Sequence, residues 1–394
     1  MIPGPRGWAA LSTMRDLRKD PLGALIRLQR NYGDLLSFRY GPIHRVITFD
    51  PRAVQRILQD NHLNYNKDSP FYHMLGWFLG KGLITSDGEL HQRQRRLIQP
   101  AFQRARIDEL QPMMVRTTER VLEGLRPGQV LDLSAFMIDL TLRIIGQALF
   151  GEELSARDDG IGTAVEELQR QMQRRFRSPF PLKPIWPVAE DRRFRRIIRQ
   201  LRTLIVQKTN RMLPSMPEEQ LVDELITLML AGHETVANTL TWALALLSRH
   251  PAQKENDPQR VVLETLRLFP PVGVFGRRAI GPDELCGHSI GARQIVSTSP
   301  WVLHRHPDYW DNPEGFDPDR FLQEPVRGAF VPFAAGRRQC LGNYFAVLEA
   351  TTVLRTLQQQ VQLDLLPGQQ LEIDPQITLR PRGPLWVRVS LKGW

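Results

Sequence analysis

The chain has 394 residues, and its 42% hydrophobic and 24% charged residues are typical of a globular protein with a large core. The formal net charge of +10 at pH 7 suggests an acidic partner, but the arginine clusters have neither zinc-finger spacing nor an aromatic RNA-binding signature, so nucleic acid is the weaker interpretation. A chain of this length forms two domains by default unless a large group fills its middle.

Two cysteines, Cys286 and Cys340, allow at most one disulfide, which favours a reducing compartment. No uninterrupted apolar stretch approaches the length of a transmembrane helix, and the N-terminus lacks the apolar region of a signal peptide. We therefore expect a cytoplasmic protein with no transmembrane segment in this chain. We also expect it to be a monomer.

The N-terminal part predicts a helix over residues 20–32 and a hairpin of two alternating strands, Leu35 to Tyr40 and His44 to Phe49, around a turn at Gly41-Pro42. The segment from Ser69 to Leu79 is aromatic and contains a glycine, but it has no clean periodicity. We predict that this segment is a loop that caps the core.

A basic stretch follows, in which His91 and Arg95 are four residues apart and therefore lie on one face of a helix. Both side chains could reach an anionic carboxylate, whereas Arg93 and Arg96 fit an exposed helix face better. Beyond them, residues 107–150 have the spacing of scaffold helices, interrupted at Pro127-Gly128. Prolines and aromatics over residues 177–187 exclude a regular helix and predict a loop over a pocket.

The longest predicted helix begins near Ser215, where Glu218 completes a capping box, and ends at about His250. It is apolar on nearly every face over residues 225–247, which indicates a helix buried through the middle of the molecule. Its midpoint nevertheless reads Ala231-Gly-His-Glu-Thr235, with a glycine, an acid and an alcohol. A glycine kink with an ion-paired acid is the alternative interpretation, and we expect His233 to be a satisfied polar contact.

Glu264 and Arg267 are three residues apart on a helix face that is surrounded by valine, leucine and phenylalanine. Two charges can be buried only if they are paired and hydrogen-bonded. We therefore predict a structural ion pair.

Near the C-terminus, the stretch Phe333-Ala-Ala-Gly-Arg-Arg-Gln-Cys-Leu-Gly342 precedes a predicted helix over residues 343–360. Its two glycines permit a loop that wraps under a flat group, and the positive end of the helix dipole favours a thiolate. Cys340 is therefore the predicted metal ligand, and Arg338 could pair with an anion. An ordinary buried thiol is the alternative.

This stretch resembles the haem-binding signature of the cytochrome P-450 family, Phe-x-x-Gly-x-Arg-x-Cys-x-Gly, at all five fixed positions. The resemblance implies a mainly α-helical cytochrome P-450 fold, a single domain over residues 1–394 with a small β-rich region and haem b between the long central helix and the cysteine loop. Cys340 would be the proximal iron ligand. The further haem contacts implied are Phe333, Gly336, Arg338 and Gly342, with the propionates paired to His91, Arg95 and Arg277, or to Arg278 in place of Arg277.

Other stretches resemble further family motifs. Residues 231–235 match the oxygen-binding motif, which implies that Ala231 and Gly232 leave room for a diatomic molecule, Thr235 donates a hydrogen bond and Glu234 supplies protons. Glu264 and Arg267 match the Glu-x-x-Arg pair, with Arg320 as a third structural partner. The implied substrate-pocket residues are Phe71, Trp77, Phe78, Val272, Val274, Phe275, Ile377 and Thr378.

The resemblance implies a monooxygenase that activates dioxygen with electrons from a separate donor, expected to be a ferredoxin with its reductase, and that hydroxylates or epoxidises a hydrophobic substrate. Basic clusters near Arg93 and Arg337 fit the docking of an acidic donor. A haem-thiolate peroxygenase and a non-catalytic haem-binding sensor are the alternatives.

Two connections are shorter than the resemblance implies, one before Ser215 and one between Pro251 and Glu264. Either the chain is a trimmed variant, or segments are omitted at these points.

Overall fold

The computed structural model describes residues 2–40, 43–155, 160–177, 189–208 and 216–391. The helices in chain order are α1 Trp8–Lys19, α2 Pro21–Tyr32, α3 Pro51–Gln55, α4 Pro70–Leu79, α5 Gly88–Ile98, α6 Arg104–Asp108, α7 Gln111–Leu122, α8 Leu133–Phe150, α9 Ile161–Arg177, α10 Ala189–Lys208, α11 Glu218–Arg249, α12 Pro258–Leu268, α13 Pro300–Leu303 and α14 Asn343–Gln360. The strands are β1 Leu35–Tyr40, β2 Ile43–Thr48, β3 Tyr65–Asn66, β4 Val130–Asp132, β5 Phe275–Ala279, β6 Asp283–Leu285, β7 His288–Ile290, β8 Ile295–Thr298, β9 Val361–Leu365, β10 Ile373–Pro375, β11 Leu379–Pro381 and β12 Trp386–Leu391.

The chain divides into two compact units. We call Met1–Ser69 together with Leu263–Cys340 the β-rich unit, and Pro70–Val262 together with Leu341–Trp394 the helical unit. The predicted mainly helical architecture with a small β-rich region is confirmed. That residues 1–394 act as a single domain stays a prediction.

The β-rich unit is built on a five-stranded sheet with the order β1-β2-β8-β5-β3. Strands β1 and β2 pair antiparallel, with Leu36 opposite Ile47, which confirms the predicted hairpin, although its turn lies outside the described residues. Both faces of the hairpin are buried. Leu36 and Ile47 pack with Leu25 of α2, while Leu35 and Val46 belong to a second apolar cluster, so the alternation of strand residues supplies two cores.

The helical unit is organised around α11, which has 32 residues and spans roughly 48 Å at about 1.5 Å per residue. It packs against α8, α14 and α10. Among the described helices, only α8 is long and apolar enough to cross a membrane, and 44% of it is buried inside the protein. An ion pair between Arg143 and Asp139 of α8, at 2.8 Å, and the packing against α11 identify α8 as a core helix.

The structure corrects two local predictions and adds one helix. The segment after Ser69 is helix α4 and not a loop, because Met74, Leu75, Phe78 and Leu79 form one buried face that the aromatic residues on the other faces obscure in the sequence. Helix α11 begins at Glu218, later than predicted, and Ser215 lies outside the described residues. Helix α1 was not predicted, because only Ala10 of its residues is buried and the apolar signal is weak.

The remaining boundary predictions concern connections. Most of the predicted loop over residues 177–187 lies outside the described residues. The short connection after α11 consists of a 3-10 turn, Pro251–Gln253, and a few further residues before α12 begins at Pro258.

Candidate functional site

The cysteine loop belongs to the β-rich unit as far as Cys340. Gly336 has a φ of 65°, and a Cβ at this position would lie 2.0 Å from the carbonyl oxygen of Leu58, so only glycine fits. The N–H of Cys340 donates to the carbonyl of Phe333 at 2.9 Å, which closes the loop. Cys340 is exposed, and α14 begins three residues later at Asn343. A soft sulfur donor held in a closed, accessible loop suits a haem iron.

The other cysteine has a different environment. Cys286 lies in the turn between β6 and β7, next to the Asp50 carboxylate. Desolvation and this carboxylate raise the pKa of the Cys286 thiol to about 11. A thiolate is therefore disfavoured at Cys286 at neutral pH.

A buried charge cluster supports the cysteine loop. Arg267 donates to both carboxylate oxygens of Glu264 at 2.8 Å, and Arg320 donates to Glu264 Oε1 at 3.2 Å. The remaining N–H groups of Arg267 donate to backbone carbonyls in the segment 304–315. The predicted pairing of the acid with both arginines is thus present, and every charge in it has hydrogen-bond partners, as burial requires.

His304 connects this charge cluster to the cysteine loop. Burial lowers the pKa of His304 to about 3, so its ring is neutral. Its Nε2 accepts the N–H of Val331 at 2.9 Å, and its Nδ1–H therefore donates to the carbonyl of Arg267 at 3.2 Å. Since Val331 lies two residues before Phe333, the histidine fixes the backbone that enters the loop. Sequence reasoning had given His304 no role.

Arg277 and Arg278, the two predicted candidates for a haem-propionate partner on β5, lie in different surroundings. Arg278 is paired with Asp68 at 3.3 Å. Arg277 is buried on β5 and lines a small cavity with Leu58, Phe275 and Ser297. Its role toward a propionate stays a prediction.

In the helical unit, the middle of α11 carries an accessible strip. Leu228, Ala231, Gly232 and Thr235 are half-buried at the spacing i, i+3, i+4 and i+7, and Glu234 lies beside them, while the other residues from Leu221 to Leu247 are buried. The strip is small and apolar except for one hydroxyl. A flat apolar macrocycle is the kind of group that such a strip can cover, so the residues present fit a haem.

Two contacts refine the roles of this strip. A Cβ on Gly232 would lie 3.1 Å from Ile145 Cδ1 of α8, so a larger residue would have to displace the end of that side chain by a few tenths of an ångström. The hydroxyl of Thr235 donates to the carbonyl of Ala231 at 2.7 Å. The one proton of this hydroxyl goes to a backbone carbonyl, so Oγ1 can accept a further hydrogen bond, and it can donate to another group only after it rotates away from Ala231.

Glu234 is held by two neutral donors. Thr378 Oγ1 donates to Oε1 at 2.5 Å, and Gln169 Nε2 of α9 donates to Oε2 at 2.8 Å. His233 is buried, its pKa is lowered by desolvation, and its Nδ1 donates to the carbonyl of Met229 at 2.7 Å. The expectation that His233 is a satisfied polar contact is confirmed.

Helix α5 carries His91 and Arg95, the predicted propionate partners in the helical unit. His91 is buried and Arg95 is half-buried, while Arg93 and Arg96 are exposed, as expected from the two faces of the helix. Arg93 donates to Gln220 at 3.1 Å. The roles of His91 and Arg95 toward a haem stay predictions, as do those of Phe333, Arg338 and Gly342, which are half-buried.

The predicted pocket residues lie in several environments. Phe71 packs edge-on against Phe176 of α9 with ring centroids 6.0 Å apart, and Phe78 is buried against Phe194 of α10 at 5.0 Å. The remaining predicted pocket residues in the helical unit are the half-buried Trp77 and the cavity-lining Ile377 and Thr378. In the β-rich unit, Val272 and Phe275 are half-buried and Val274 is exposed.

The contact between Gln169 and Glu234 was missed by sequence reasoning. The only signal is that Gln169 and Gln173 lie four residues apart on one face of an amphipathic helix. Glutamine is common on exposed helix faces, so this spacing by itself does not distinguish a site from solvent-facing surface.

Comparisons with known proteins agree with these features. The family model described as cytochrome P450 matches residues 2–215, 199–256 and 259–387. Cyclooctatin synthase from Streptomyces melanosporofaciens is 32% identical over 94% of this chain and 91% of its own length. Pentalenene oxygenase from Streptomyces avermitilis is 30% identical and covers 85% of each chain. The crystal structure of a cytochrome P450 from Thermus thermophilus has a TM-score of 0.81 at 30% identity, covering 94% of this chain and 98% of that one.

Proposed function

The chain belongs to the cytochrome P450 family and is a monooxygenase with the fold of that family, and within this class we propose that it oxidises a terpene. The observation that carries the proposal is the pair of relatives at 32% and 30% identity, whose names assign them to cyclooctatin synthesis and pentalenene oxygenation. The aromatic contact of Phe71 with Phe176 and the position of Ile377 supply apolar surface in the helical unit, which suits a hydrocarbon.

We assign the haem-binding roles from the motifs. Cys340 would ligate the iron of haem b, and His91, Arg95 and Arg277 would hold its propionates, since paired charges tolerate burial better than single ones. When bound, the haem would supply dioxygen activation, because a thiolate ligand favours O–O cleavage.

The remaining residues would act on the substrate and the protons. The apolar side chains of α4 and of Ile377 would exclude water from the substrate. The hydroxyl of Thr235, on the accessible strip of α11, would hold a proton at Oγ1, and the Glu234 carboxylate would resupply it from the cavity that it lines. Location in the cytoplasm is part of the proposal and agrees with Cys286 and Cys340 both being unbridged by a disulfide.

The substrate proposal is tested by titrating the purified enzyme with cyclic terpenes, fatty acids and polyketides while following the Soret band. We expect a terpene to give a saturable shift and, with NAD(P)H and a surrogate ferredoxin and reductase, a product containing one added oxygen atom. A shift and product from fatty acids or polyketides alone would overturn the terpene assignment. Product formation that needs added peroxide and ignores NAD(P)H would favour a peroxygenase, and binding without product would favour a sensor.

We also propose that the electron donor is an acidic ferredoxin-like protein that docks on exposed arginines. Arg93, Arg96, Arg104 and Arg337 are exposed. The guanidinium of Arg104 lies 5.1 Å from the ring centre of Tyr344, in the first turn of α14. This contact brings a basic residue to the helix that follows the cysteine loop in the chain.

Charge reversal at Arg96 or Arg104 should slow the first electron transfer about 10-fold at low ionic strength, because steering by opposite charges is lost. The wild-type rate should itself fall as salt rises, since the attraction is screened. Stopped-flow reduction with a ferredoxin measures both effects. Arg196→Glu is the matched control, since Arg196 is exposed on α10 and carries the same charge. Equal slowing in the control would contradict the docking surface.

A further inference from the structure

Each oxygen of the Glu234 carboxylate accepts a hydrogen bond from a side chain of another element of the helical unit. Gln169 comes from α9, 65 positions away in the chain, and Thr378 comes from the turn between β10 and β11, 144 positions away. Both donors are uncharged, and among the described residues neither oxygen of Glu234 forms an ion pair. The acid is thus oriented by directional hydrogen bonds and not by an ion pair.

Each donor is itself fixed by a second contact. The Gln169 amide nitrogen lies 3.3 Å from His233 Nε2, and because His233 is neutral with its proton on Nδ1, its Nε2 accepts one of the two amide N–H bonds. The other amide N–H goes to Glu234. Thr378 Oγ1 accepts from Asn238 Nδ2 at 3.4 Å while it donates to the acid. The two donors therefore have little freedom to point elsewhere.

The same two elements enclose a small cavity beside the acid. Its lining residues are Gln169, Met172, Gln173, Glu234, Gln376, Ile377 and Thr378. Gln376 Oε1 is buried here and has no hydrogen-bond partner among the described residues. A buried acceptor without a partner in a polar cavity is the usual position for a bound water.

Helix α9 links this cavity to the predicted pocket wall. It carries Gln169 and Met172 at the cavity, and one turn further on Phe176, which packs against Phe71 of α4. Gln173 accepts from Arg380 of β11 at 2.9 Å, which ties α9 to the strand that follows Thr378. A displacement of α9 would therefore change the contact with the acid.

We propose that Gln169 and Thr378 are positioning residues that hold Glu234 against a water-bearing cavity. We call these two residues the clamp, and because Gln169 lies on α9, proton supply depends on the placement of that helix. The proposal rests on the monooxygenase function and adds a control on its proton supply. It also assigns Thr378 a polar task in addition to its predicted place in the pocket wall.

Thr378→Val and Gln169→Leu remove one donor each at nearly constant volume. With any accepted substrate, we expect each to lower kcat about 3- to 10-fold and to raise the solvent isotope effect on kcat, because proton supply weakens. Gln169→Leu should leave KM nearly unchanged, because Gln169 is not among the predicted pocket residues. Thr378→Ser keeps the hydroxyl and should restore kcat and the isotope effect. Gln171→Leu is the control on the same helix, because the Gln171 amide donates to Glu167 and not to Glu234.

A second measurement does not need turnover. The unfolding midpoints of the holoprotein are compared for Gln169→Leu, Glu234→Gln and the double variant. If Gln169 and Glu234 are coupled, the shift in midpoint of their double variant differs from the sum of the two single shifts. For Gln171→Leu combined with Glu234→Gln, the two single shifts should add. If the midpoint shifts of Gln169→Leu and Glu234→Gln add in the double variant, the clamp is overturned, even if the enzyme is active. An enzyme that accepts no substrate but shows the coupling would instead count against the proposed function.

Discussion

Replacing Cys340 by serine should abolish the absorption band near 450 nm that the reduced, CO-bound protein is expected to show, because that band reports thiolate ligation of the haem iron. The structure supports the choice of this cysteine by its placement. Cys340 is exposed in a loop closed by its own N–H and shaped by Gly336, which contacts the Leu58 carbonyl where no side chain fits. Monooxygenase activity should be lost together with the band.

The matched variant is Cys286→Ser. In the wild type, the Cys286 thiol lies beside Asp50 and its pKa is raised to about 11. It is therefore protonated at neutral pH and unsuited to ligation. This variant should keep the 450 nm band and its turnover. Difference spectra of the reduced, CO-bound protein against the reduced protein are sufficient for both variants. A band that survives in Cys340→Ser or disappears in Cys286→Ser would show that the ligand is misassigned.

Replacing Thr235 by alanine should separate electron consumption from product formation. The hydroxyl lies on the accessible strip of α11 and donates to the carbonyl of Ala231 one turn back, so its loss removes a proton-holding group without opening a cavity in the packed core. NAD(P)H consumption should continue, but a larger share of the electrons should appear as hydrogen peroxide. The CO spectrum and substrate binding should stay close to those of the wild type.

Glu234→Gln should have a different effect. The amide has the size of the carboxyl group but cannot gain and lose a proton near neutral pH. Overall turnover should therefore fall on the order of 100-fold, which lies in the usual range for a lost general acid. Measuring product and peroxide per NAD(P)H in both variants separates the two roles. Thr235→Ser, which keeps the hydroxyl, is the control, and unchanged coupling in Thr235→Ala would refute the role of Thr235.

Some features of the protein follow from residues that are close in the chain. The cysteine loop is a contiguous motif, and the Glu264 and Arg267 pair is one helical turn apart, so local spacing sufficed to predict both. The continuous apolar run of α11 likewise identified a buried helix, and the polar residues at its midpoint stood out against it.

Other features depend on packing between distant segments. The aromatic residues of α4 hid its helical face, since a segment that is apolar all round has little periodicity, and only the burial of Met74 and Phe78 distinguishes its inner side. The pairing of Arg278 with Asp68 joins residues 210 positions apart, so no local pattern predicts it.

The sequence by itself determined the fold class, through several family motifs in their usual order. It also determined where the cysteine motif and the acid and alcohol of the central helix lie, because each of these is a short, ordered pattern. Only the tertiary structure decided what holds the acid. Gln169 and Thr378 reach Glu234 from 65 and 144 positions away, through side-chain hydrogen bonds only 2.8 and 2.5 Å long. Such contacts require that three separate elements pack in one arrangement, and a glutamine or a threonine in isolation carries no signal of the partner that packing will give it.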